Sequence, residues 1–323
     1  MVTAPQVRAA VAKPGQFEHL GLLYRHPEEY VAGTTAFVHD ALAVDAPVLV
    51  AVPGDNLDLI RDSLGAAPGA RVQFADMAVA GRNPGRIIPG VLLAFAAAHP
   101  GRRVWIIGEP IWPGRTTIEY PACAAHEALI NVAFAGRDAA ILCPYDAEGL
   151  DPAALADSHH THPIMVDGTR RWLSPVYGDP FGAAAKFNRP LPDPPDRAAA
   201  MTFEGFDSLA SVRRFLVREA VAAGLTHDQI ADLTIAVNEL TTNTSEHTTG
   251  AGLLSVWTED GTLVCQVGDD GHLRDPLAGR IPPTGDQRRG RGLFLVNQLC
   301  DLVRIHTGPA GTTIRLHTRL PVA

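Results

Sequence analysis

The sequence has 323 residues and a formal net charge of −8 at pH 7. This length exceeds what a single hydrophobic core usually organises, so two domains are expected. With 46% hydrophobic and 19% charged residues the chain can bury sizeable cores. The excess of acidic residues argues against a broad nucleic-acid-binding surface, which needs clustered Lys and Arg.

Several features of the sequence indicate the compartment of the protein. Residues 1–16 lack a charged region followed by an apolar core, so no secretory signal is expected. The longest apolar stretch, 87–98, is too short to span a bilayer. The four cysteines lack the spacing of a zinc site, and the sequence therefore predicts buried thiols in a cytoplasmic protein without a membrane role. They are Cys123, Cys143, Cys265 and Cys300.

From residue 17 to residue 173, short apolar runs alternate with longer helical patterns. Strands are predicted at 19–23, 48–52, 72–75, 104–107, 140–143 and 164–166. Helices are predicted at 30–42, 57–64, 87–98 and 124–134. Strands that are apolar on both faces and joined by helices are typical of a buried, mostly parallel sheet. The sequence thus predicts an α/β domain with RecA-like layering over 17–173, behind a tail at 1–16.

A proline-rich segment follows this domain. Because proline removes a backbone donor, the segment is predicted to lack regular structure. Proline-rich chains favour extended conformations, so we expect a semi-rigid linker at 174–198. Its prolines are Pro175, Pro180, Pro190, Pro192, Pro194 and Pro195.

The remaining residues, 199–323, combine helices with alternating strands, as in an α+β domain. The residues Thr226 and Gln229 form a capping box that opens the second of the helices predicted at 209–223, 226–247 and 293–302. The core face of that second helix is formed by Ile230, Leu233, Val237 and Leu240. Strands are predicted at 201–203, 253–257 and 263–267, with a last hairpin centred on 308–311.

Three polar residues lie on one stripe of the helix predicted at 226–247: Glu239, Asn243 and His247. They are four residues apart, so they follow one another turn by turn beside the core face. A carboxylate and an amide one turn apart can share a hard cation and a hydroxyl group. Taken alone, the stripe also fits a solvated helix face.

Three glycine-containing segments follow this helix. They are Asp269-Asp270-Gly271 at a strand end, Gly290-Arg291-Gly292-Leu293 at a helix start, and Gly311-Thr312-Thr313 at the start of the closing strand. Free amides at a helix N-terminus suit phosphate groups, and glycine lets a backbone approach a base closely. Each segment alone is also compatible with an ordinary turn.

The order and spacing of these segments resemble the N, G1, G2 and G3 boxes of GHKL ATPases, and most closely the RsbW/SpoIIAB type of anti-sigma factor and serine kinase. The resemblance covers roughly residues 200–320. It implies a sandwich of helices on a mixed, mostly antiparallel sheet that binds ATP and Mg²⁺.

The resemblance also implies roles for individual residues. Asn243 would ligate Mg²⁺, Asp269 would accept a hydrogen bond from the adenine amino group, and Glu239 would be the general base toward a serine hydroxyl of a partner protein. In this geometry catalysis is mainly positioning and charge neutralisation. The other residues implied to surround the nucleotide are Gly271, Gly290, Arg291, Gly292, Leu293 and Thr313.

One residue departs from the family pattern. The G1 box often has a second glycine, Asp-x-Gly-x-Gly, where this chain has Leu273. This departure predicts weak nucleotide affinity, and it leaves ATP binding without phosphorylation open. The stretch to residue 289 would form the lid, whose arginines are available to phosphates: Arg280, Arg288 and Arg289, followed by Arg291.

The N-terminal half lacks the Gly-x-x-x-x-Gly-Lys-Ser/Thr pattern of an active Walker A NTPase. It resembles the MEDS sensory domains, defined around methanogen and methylotroph regulators such as DcmR. The matching residues, over about 17–172, are His19-x-x-x-x-Tyr24, Gly108-Glu109-Pro110, Trp112 with Arg115, Cys143-Pro144-Tyr145-Asp146 and His162-Pro163.

Ligands of parallel sheets usually bind at the carboxyl ends of the strands, so we expect a small-molecule pocket there. His19 and Trp112 fit a packing role equally well. The residues assigned to this sensory pocket are His19, Tyr24, Glu109, Trp112, Tyr145 and Asp146.

A run of histidines, His159, His160 and His162, offers further metal ligands. Their spacing, without a nearby carboxylate or cysteine, is poor ligand geometry. No structural zinc is predicted.

Together the two resemblances imply a regulator. A signal at the N-terminal domain would alter how the C-terminal domain binds a sigma factor or its antagonist, with ATP and Mg²⁺ as coupled ligands. The alternatives are a protein serine kinase and a nucleotide-independent protein-binding module. A sensor histidine kinase would need a helical hairpin with a phosphoacceptor histidine, and the proline-rich segment is not one. The partner, the signal and the assembly stay open, with a homodimer among the options.

Overall fold

The computed structural model describes residues 16–65, 71–283 and 290–321. The chain divides into two compact units. The first comprises the residues up to Gly81 together with Val91–Ala185, and the second comprises Arg82–Gly90 together with Lys186–Ala323. Within the described residues, no helix combines the length and the apolar character that a membrane span requires.

A seven-stranded sheet forms the centre of the first unit. Its strands are β1 (Glu18–Tyr24), β2 (Val48–Val52), β3 (Val72–Asp76), β4 (Val104–Gly108), β5 (Ala139–Asp146), β6 (Ile164–Asp167) and β7 (Arg170–Leu173). They follow the order β3-β2-β4-β5-β1-β6-β7, and neighbouring strands are parallel except for β6 and β7. Every residue of β2 is buried, as expected for a parallel strand covered on both faces. The predicted α/β fold with a mostly parallel sheet is confirmed.

Helices cover the sheet of the first unit, and three of those described were not revealed by the sequence pattern. They are α1 (Pro27–Ala43), α2 (Gly54–Leu64), α3 (Met77–Ala80), α4 (Leu93–Ala98), α5 (Tyr120–Ala133), α6 (Pro152–Thr161) and α7 (Pro180–Ala185). The helices α3, α6 and α7 were missed. Two of the three buried residues of α6 are the polar Ser158 and Thr161, so no apolar stripe marks this helix. The residues predicted as one helix at 87–98 form a π-helical turn, Ile87–Leu92, before α4.

The proline-rich segment corrects one sequence expectation. It was predicted to lack regular structure, but α7 lies inside it. The carboxylate of Asp179 accepts hydrogen bonds from the backbone amides of Phe181 (3.1 Å) and Gly182 (2.9 Å). Pro180 occupies the first helical position, where no backbone donor is needed. A proline at this position therefore starts the helix.

Over its described residues, the second unit packs three α-helices against a five-stranded sheet. The strands are β8 (Ala199–Glu204), β9 (Ala251–Glu259), β10 (Thr262–Asp269), β11 (Leu302–Gly308) and β12 (Gly311–Arg319), and the helices are α8 (Leu209–Ala222), α9 (His227–His247) and α10 (Gly292–Leu299). The strand order is β11-β12-β10-β9-β8, with every pairing antiparallel. This confirms the predicted sandwich of helices on a mostly antiparallel sheet.

The start of α9 agrees with the sequence pattern in detail. The side chain of Thr226 accepts a hydrogen bond from the amide of Gln229, whose side chain in turn accepts one from the amide of Thr226. The predicted core face is also present, since Leu233, Val237 and Leu240 are buried. The capping box and the core face together set the position and rotation of the helix that carries the candidate chemistry.

The second unit also contains Arg82–Gly90, which is distant in sequence from the rest of that unit. Asn83 is fully buried. Its Nδ2 donates to the backbone oxygen of Asn297 in α10 at 2.9 Å, and its Oδ1 accepts from the amide of Val303 in β11 at 3.3 Å. Arg82 forms an ion pair with Asp301. The local sequence carries no signal for this placement.

Candidate functional site

A cleft of about 1120 Å³ opens in the second unit beside α9. It is bounded by α9, the end of β10 and the segment after it, the start of α10, and β12. All four predicted motif segments contribute to its walls, through Asn243, Asp269, Gly271, Gly290, Gly292, Leu293 and Thr312. The tertiary structure therefore brings the four segments to one cavity.

The contact between α9 and the start of α10 depends on a glycine. A Cβ atom at Gly292 would lie 2.9 Å from Oε2 of Glu239 and 3.3 Å from Nδ2 of Asn243. The first distance is shorter than real Cβ atoms show, and the second is tighter than nine in ten real Cβ contacts. The absent side chain lets the carboxylate and the amide reach the amino end of α10, where the amides of the first turn have no partner within the helix.

Asp269 is held in one orientation at the carboxyl end of β10. Its Oδ2 accepts a hydrogen bond from the Thr244 hydroxyl in α9 at 2.6 Å, and its Oδ1 accepts one from the amide of Gly271 at 2.9 Å. Because a carboxylate oxygen can accept more than one hydrogen bond, both oxygens can still accept from a ligand. Thr244 was not identified from the sequence, although its position one residue after Asn243 places it on the adjacent face of the same helix.

The third glycine segment contributes a threonine other than the one assigned. Gly311 has a φ of +138°, and a Cβ there would lie 2.4 Å from the backbone oxygen of Asp269. Thr312 and Ile314 line the cleft. Thr313, the predicted ligand-binding residue, lies between them on β12, and alternation along a strand directs its side chain to the opposite face.

Leu273, which stands where the family often has glycine, is part of the cleft wall. Its amide donates to the hydroxyl of Thr307 at 2.9 Å. Its side chain packs against the hydrophobic core of the second unit. Thr312 donates to the backbone oxygen of Gly271 at 2.8 Å, so β11 and β12 both hold this segment.

The described part of the segment predicted as a lid, up to residue 283, also lines the cleft. Gly279 has a φ of +72° and packs on the backbone of Leu293. The side chain of Asn297 donates to the backbone oxygen of Gly279 at 3.1 Å. Arg291 is exposed, while the predicted phosphate-binding residues Arg288 and Arg289 lie outside the described residues.

In the first unit, three of the predicted sensory residues gather at the carboxyl edge of the sheet. Glu109 follows β4, while Tyr24 and Asp146 end the paired strands β1 and β5. Glu109 is buried and accepts hydrogen bonds from the Tyr30 hydroxyl at 3.0 Å and from the Asn56 amide at 2.9 Å. Burial raises the pKa of Glu109 to about 8, against the opposing effect of these hydrogen bonds.

Tyr30 and Asn56 were missed by sequence reasoning. Asn56 lies in the first turn of α2, directly after the carboxyl end of β2, so its position at a strand end was the available signal. Tyr30 lies within α1, and its position in the sequence gave no such signal. The small-molecule pocket itself stays a prediction.

The remaining sensory residues lie in other surroundings. The guanidinium of Arg115 lies over the ring of Trp112 at 4.0 Å. His19 is near the amino end of β1, fully buried, with its Nε2 3.3 Å from Oε2 of Glu127. Burial, together with the neighbouring His162, lowers the pKa of His19 to about 4, so its ring is neutral near pH 7. Tyr145 packs edge-on against His162 at 5.4 Å.

The comparisons with known proteins match one family model to each half of the chain. Residues 18–163 match the family model of the MEDS domain, the methanogen/methylotroph DcmR sensory domain. Residues 206–318 match the family model of the histidine kinase-like ATPase domain.

Among curated proteins there is no match. Among solved structures, the chain is similar to the RsbU and RsbW domains of a Mycobacterium tuberculosis protein, known from a crystal structure. The two sequences are 24% identical, and the TM-score is 0.31. That similarity covers 40% of this chain and 34% of the other. By its two family matches, the protein joins a MEDS sensory domain to a histidine kinase-like ATPase domain.

Proposed function

We propose that the second unit binds ATP with Mg²⁺ in the cleft beside α9, and that the chain is a regulator of the anti-sigma-factor type. The observation that carries this proposal is that Asn243, Asp269 and Gly292 at the amino end of α10 line one cavity, with the carboxylate of Glu239 beside Gly292. In this proposal the cation ligand, the phosphate-binding amides and the acceptor for the base line the same cavity.

The residues present fit both ends of a nucleotide. The amide oxygen of Asn243 is a hard ligand of the kind that Mg²⁺ takes. Helix amides at Gly292 and Leu293 suit phosphate oxygens, because they carry the positive end of the helix dipole. Asp269, oriented by Thr244 and Gly271, supplies the carboxylate that accepts a hydrogen bond from an amino group of the base.

Glu239 is the general base of this proposal. ATP would supply the transferable phosphoryl group, and the carboxylate of Glu239 would orient and deprotonate a serine hydroxyl of a partner protein. The half-buried position of Glu239 against Gly292 supports this role, since it keeps the carboxylate beside the phosphate-binding helix end. The partner would be a sigma factor or its antagonist, and the small-molecule signal would bind the MEDS domain.

Calorimetric titration of the full chain with ATP in the presence of Mg²⁺ tests the proposal. We expect Asn243→Ala to weaken binding at least tenfold, which is about 1.4 kcal/mol. The matched control is Asn238→Ala, on the same helix, whose side chain accepts from Arg213 at 2.9 Å. Equal ATP affinity of the two variants would refute the metal role of Asn243, and no ATP binding by the wild type would refute the proposal.

A second candidate function is a nucleotide-independent protein-binding module. Leu273 favours it, because an apolar side chain takes part in the cleft wall where the related pattern has glycine. In that case the wild-type chain would bind its partner equally well with and without ATP. A partner affinity that changes with ATP would exclude this function.

A further inference from the structure

Four side chains that the nucleotide site does not use meet in the core of the first unit: His19, Glu127, Cys143 and His162. They come from β1, α5, β5 and the residue after α6. All four are buried, and their ligand atoms lie within 4.8 Å of one another. Histidine, cysteine and carboxylate together are the side chains that bind zinc.

Three distances within this cluster lie near the edges of a small coordination tetrahedron. Nε2 of His19 lies 3.3 Å from Oε2 of Glu127 and 3.4 Å from Sγ of Cys143. Nε2 of His162 lies 3.0 Å from the same oxygen of Glu127. A tetrahedral metal with bonds of about 2.0–2.3 Å separates its ligand atoms by roughly 3.3–3.6 Å. These three pairs would therefore shift by only a few tenths of an ångström to bind one ion. All four ligand atoms lie within 4.8 Å of one another, so any other pair would close by at most about 1.5 Å.

Both imidazole rings are oriented by their other nitrogen. Nδ1 of His162 lies 2.9 Å from the backbone oxygen of Ser158, which can only accept, so this nitrogen carries the proton. Nδ1 of His19 lies 3.2 Å from Oδ1 of Asn131, whose Nδ2 donates to the backbone oxygen of Thr161 at 2.7 Å. Each ring thus turns an unprotonated Nε2 toward the cluster, the arrangement that protein groups around a metal-bound histidine impose.

The buried charge of Glu127 also fits a metal site. Neither oxygen of Glu127 accepts a hydrogen bond of ordinary geometry from the described residues, although two imidazole nitrogens lie close by. A fully buried carboxylate without donors is costly. A divalent cation bound by this carboxylate, the Cys143 thiolate and two neutral imidazoles forms a group with no net charge, which can be buried.

We propose that this cluster is a closed, four-ligand site for a divalent metal ion of the zinc class. Four protein ligands leave no open position, so the ion would be structural and would tie together β1, β5, α5 and the end of α6. The sequence prediction of no structural zinc considered His159, His160 and His162. The fold instead brings His162 to three ligands that are each more than 15 residues away in the chain.

The first experiment uses the untagged full-length chain, stripped of metal with a chelator and titrated with Co²⁺. We expect one tightly bound equivalent, the strong visible absorption of tetrahedral Co²⁺, and a thiolate-to-cobalt charge-transfer band. Competition with Zn²⁺ should bleach these bands. A wild-type protein that binds no Co²⁺, or shows no thiolate band, would overturn the proposal without recourse to any variant.

Variants assign the ligands. Cys143→Ala should remove the thiolate band, and Glu127→Gln should weaken Co²⁺ binding at least tenfold. The matched controls are Cys265→Ala, which removes a fully buried thiol of the second unit, and Glu148→Gln, which changes an exposed carboxylate of the first unit. Both controls should leave the cobalt spectrum unchanged. If Cys143→Ala and Cys265→Ala gave the same spectrum, the assigned ligand set would be wrong.

Discussion

Glu239 in α9 and Gly292 at the start of α10 touch: a Cβ atom on the glycine would lie 2.9 Å from Oε2 of the carboxylate. The two residues are 53 positions apart in the chain. Their contact joins the helix that carries the candidate base and metal ligand to the helix end that would face the phosphates. A substitution at Gly292 therefore tests whether the cleft binds ATP.

Gly292→Ala should abolish most ATP binding, with at least a tenfold loss of affinity. The added methyl group would push the carboxylate end of Glu239 aside, crowd the amide of Asn243 and occupy the space at the amino end of α10. Titration of the full chain with ATP and Mg²⁺ measures the effect. Gly308→Ala is the control, because a Cβ there meets no atom within 4 Å. An ATP affinity of Gly292→Ala equal to that of the control would contradict the assignment.

Glu239→Gln should reduce phosphate transfer to a partner serine at least a hundredfold, the scale of a lost general base. Glutamine keeps the size of the side chain but cannot accept the hydroxyl proton, so ATP affinity should stay within about twofold of the wild type. Transfer of labelled γ-phosphate to the captured partner is the measurement. Glu246→Gln, an exposed carboxylate on the same helix, is the control, and wild-type transfer by Glu239→Gln would exclude the base role.

Asp269→Asn should weaken ATP binding about tenfold or more and narrow the preference for ATP over GTP. An asparagine still has one oxygen for the Thr244 hydroxyl, but its amide group donates where the carboxylate accepts from an amino group. Parallel titrations with the two nucleotides measure the preference. Asp270→Asn, the exposed neighbour, should behave as the wild type. An unchanged nucleotide preference in Asp269→Asn would remove this residue from base recognition.

The buried carboxyl of Glu109 should make stability depend on pH. Its pKa is about 8 in the folded protein, against an ordinary value of 4.5. Between these values the folded state holds a proton that the unfolded state has lost, so the free energy of unfolding should fall as pH rises toward 8. The largest loss this shift allows is about 5 kcal/mol.

Urea unfolding of the wild type and of Glu109→Gln at pH 5 and pH 8 measures this contribution. Glutamine does not titrate, so the difference in unfolding free energy between the two pH values should become smaller in this variant. Glu148→Gln changes an exposed carboxylate of the same unit and should keep the wild-type dependence. Parallel pH profiles for the wild type and Glu109→Gln would show that Glu109 ionises normally.

Much of the fold was predictable because its signals are local. The capping box of Thr226 and Gln229, the apolar period of α9 and the fully apolar strand β2 are each encoded within a few neighbouring residues. The helix α6 was missed for the same reason, since its buried face includes Ser158 and Thr161 rather than an apolar stripe.

The sequence by itself determined the two domain types and the four motif segments, because spacing along a helix and glycine at element ends are properties of short stretches of chain. Only the tertiary structure decided which threonine of β12 faces the cleft, that Asn83 packs beside α10, and that His19 meets Glu127, Cys143 and His162. These outcomes depend on strand register and on contacts between residues far apart in the chain. Such contacts form only once the sheets and helices are packed, and no short segment encodes them.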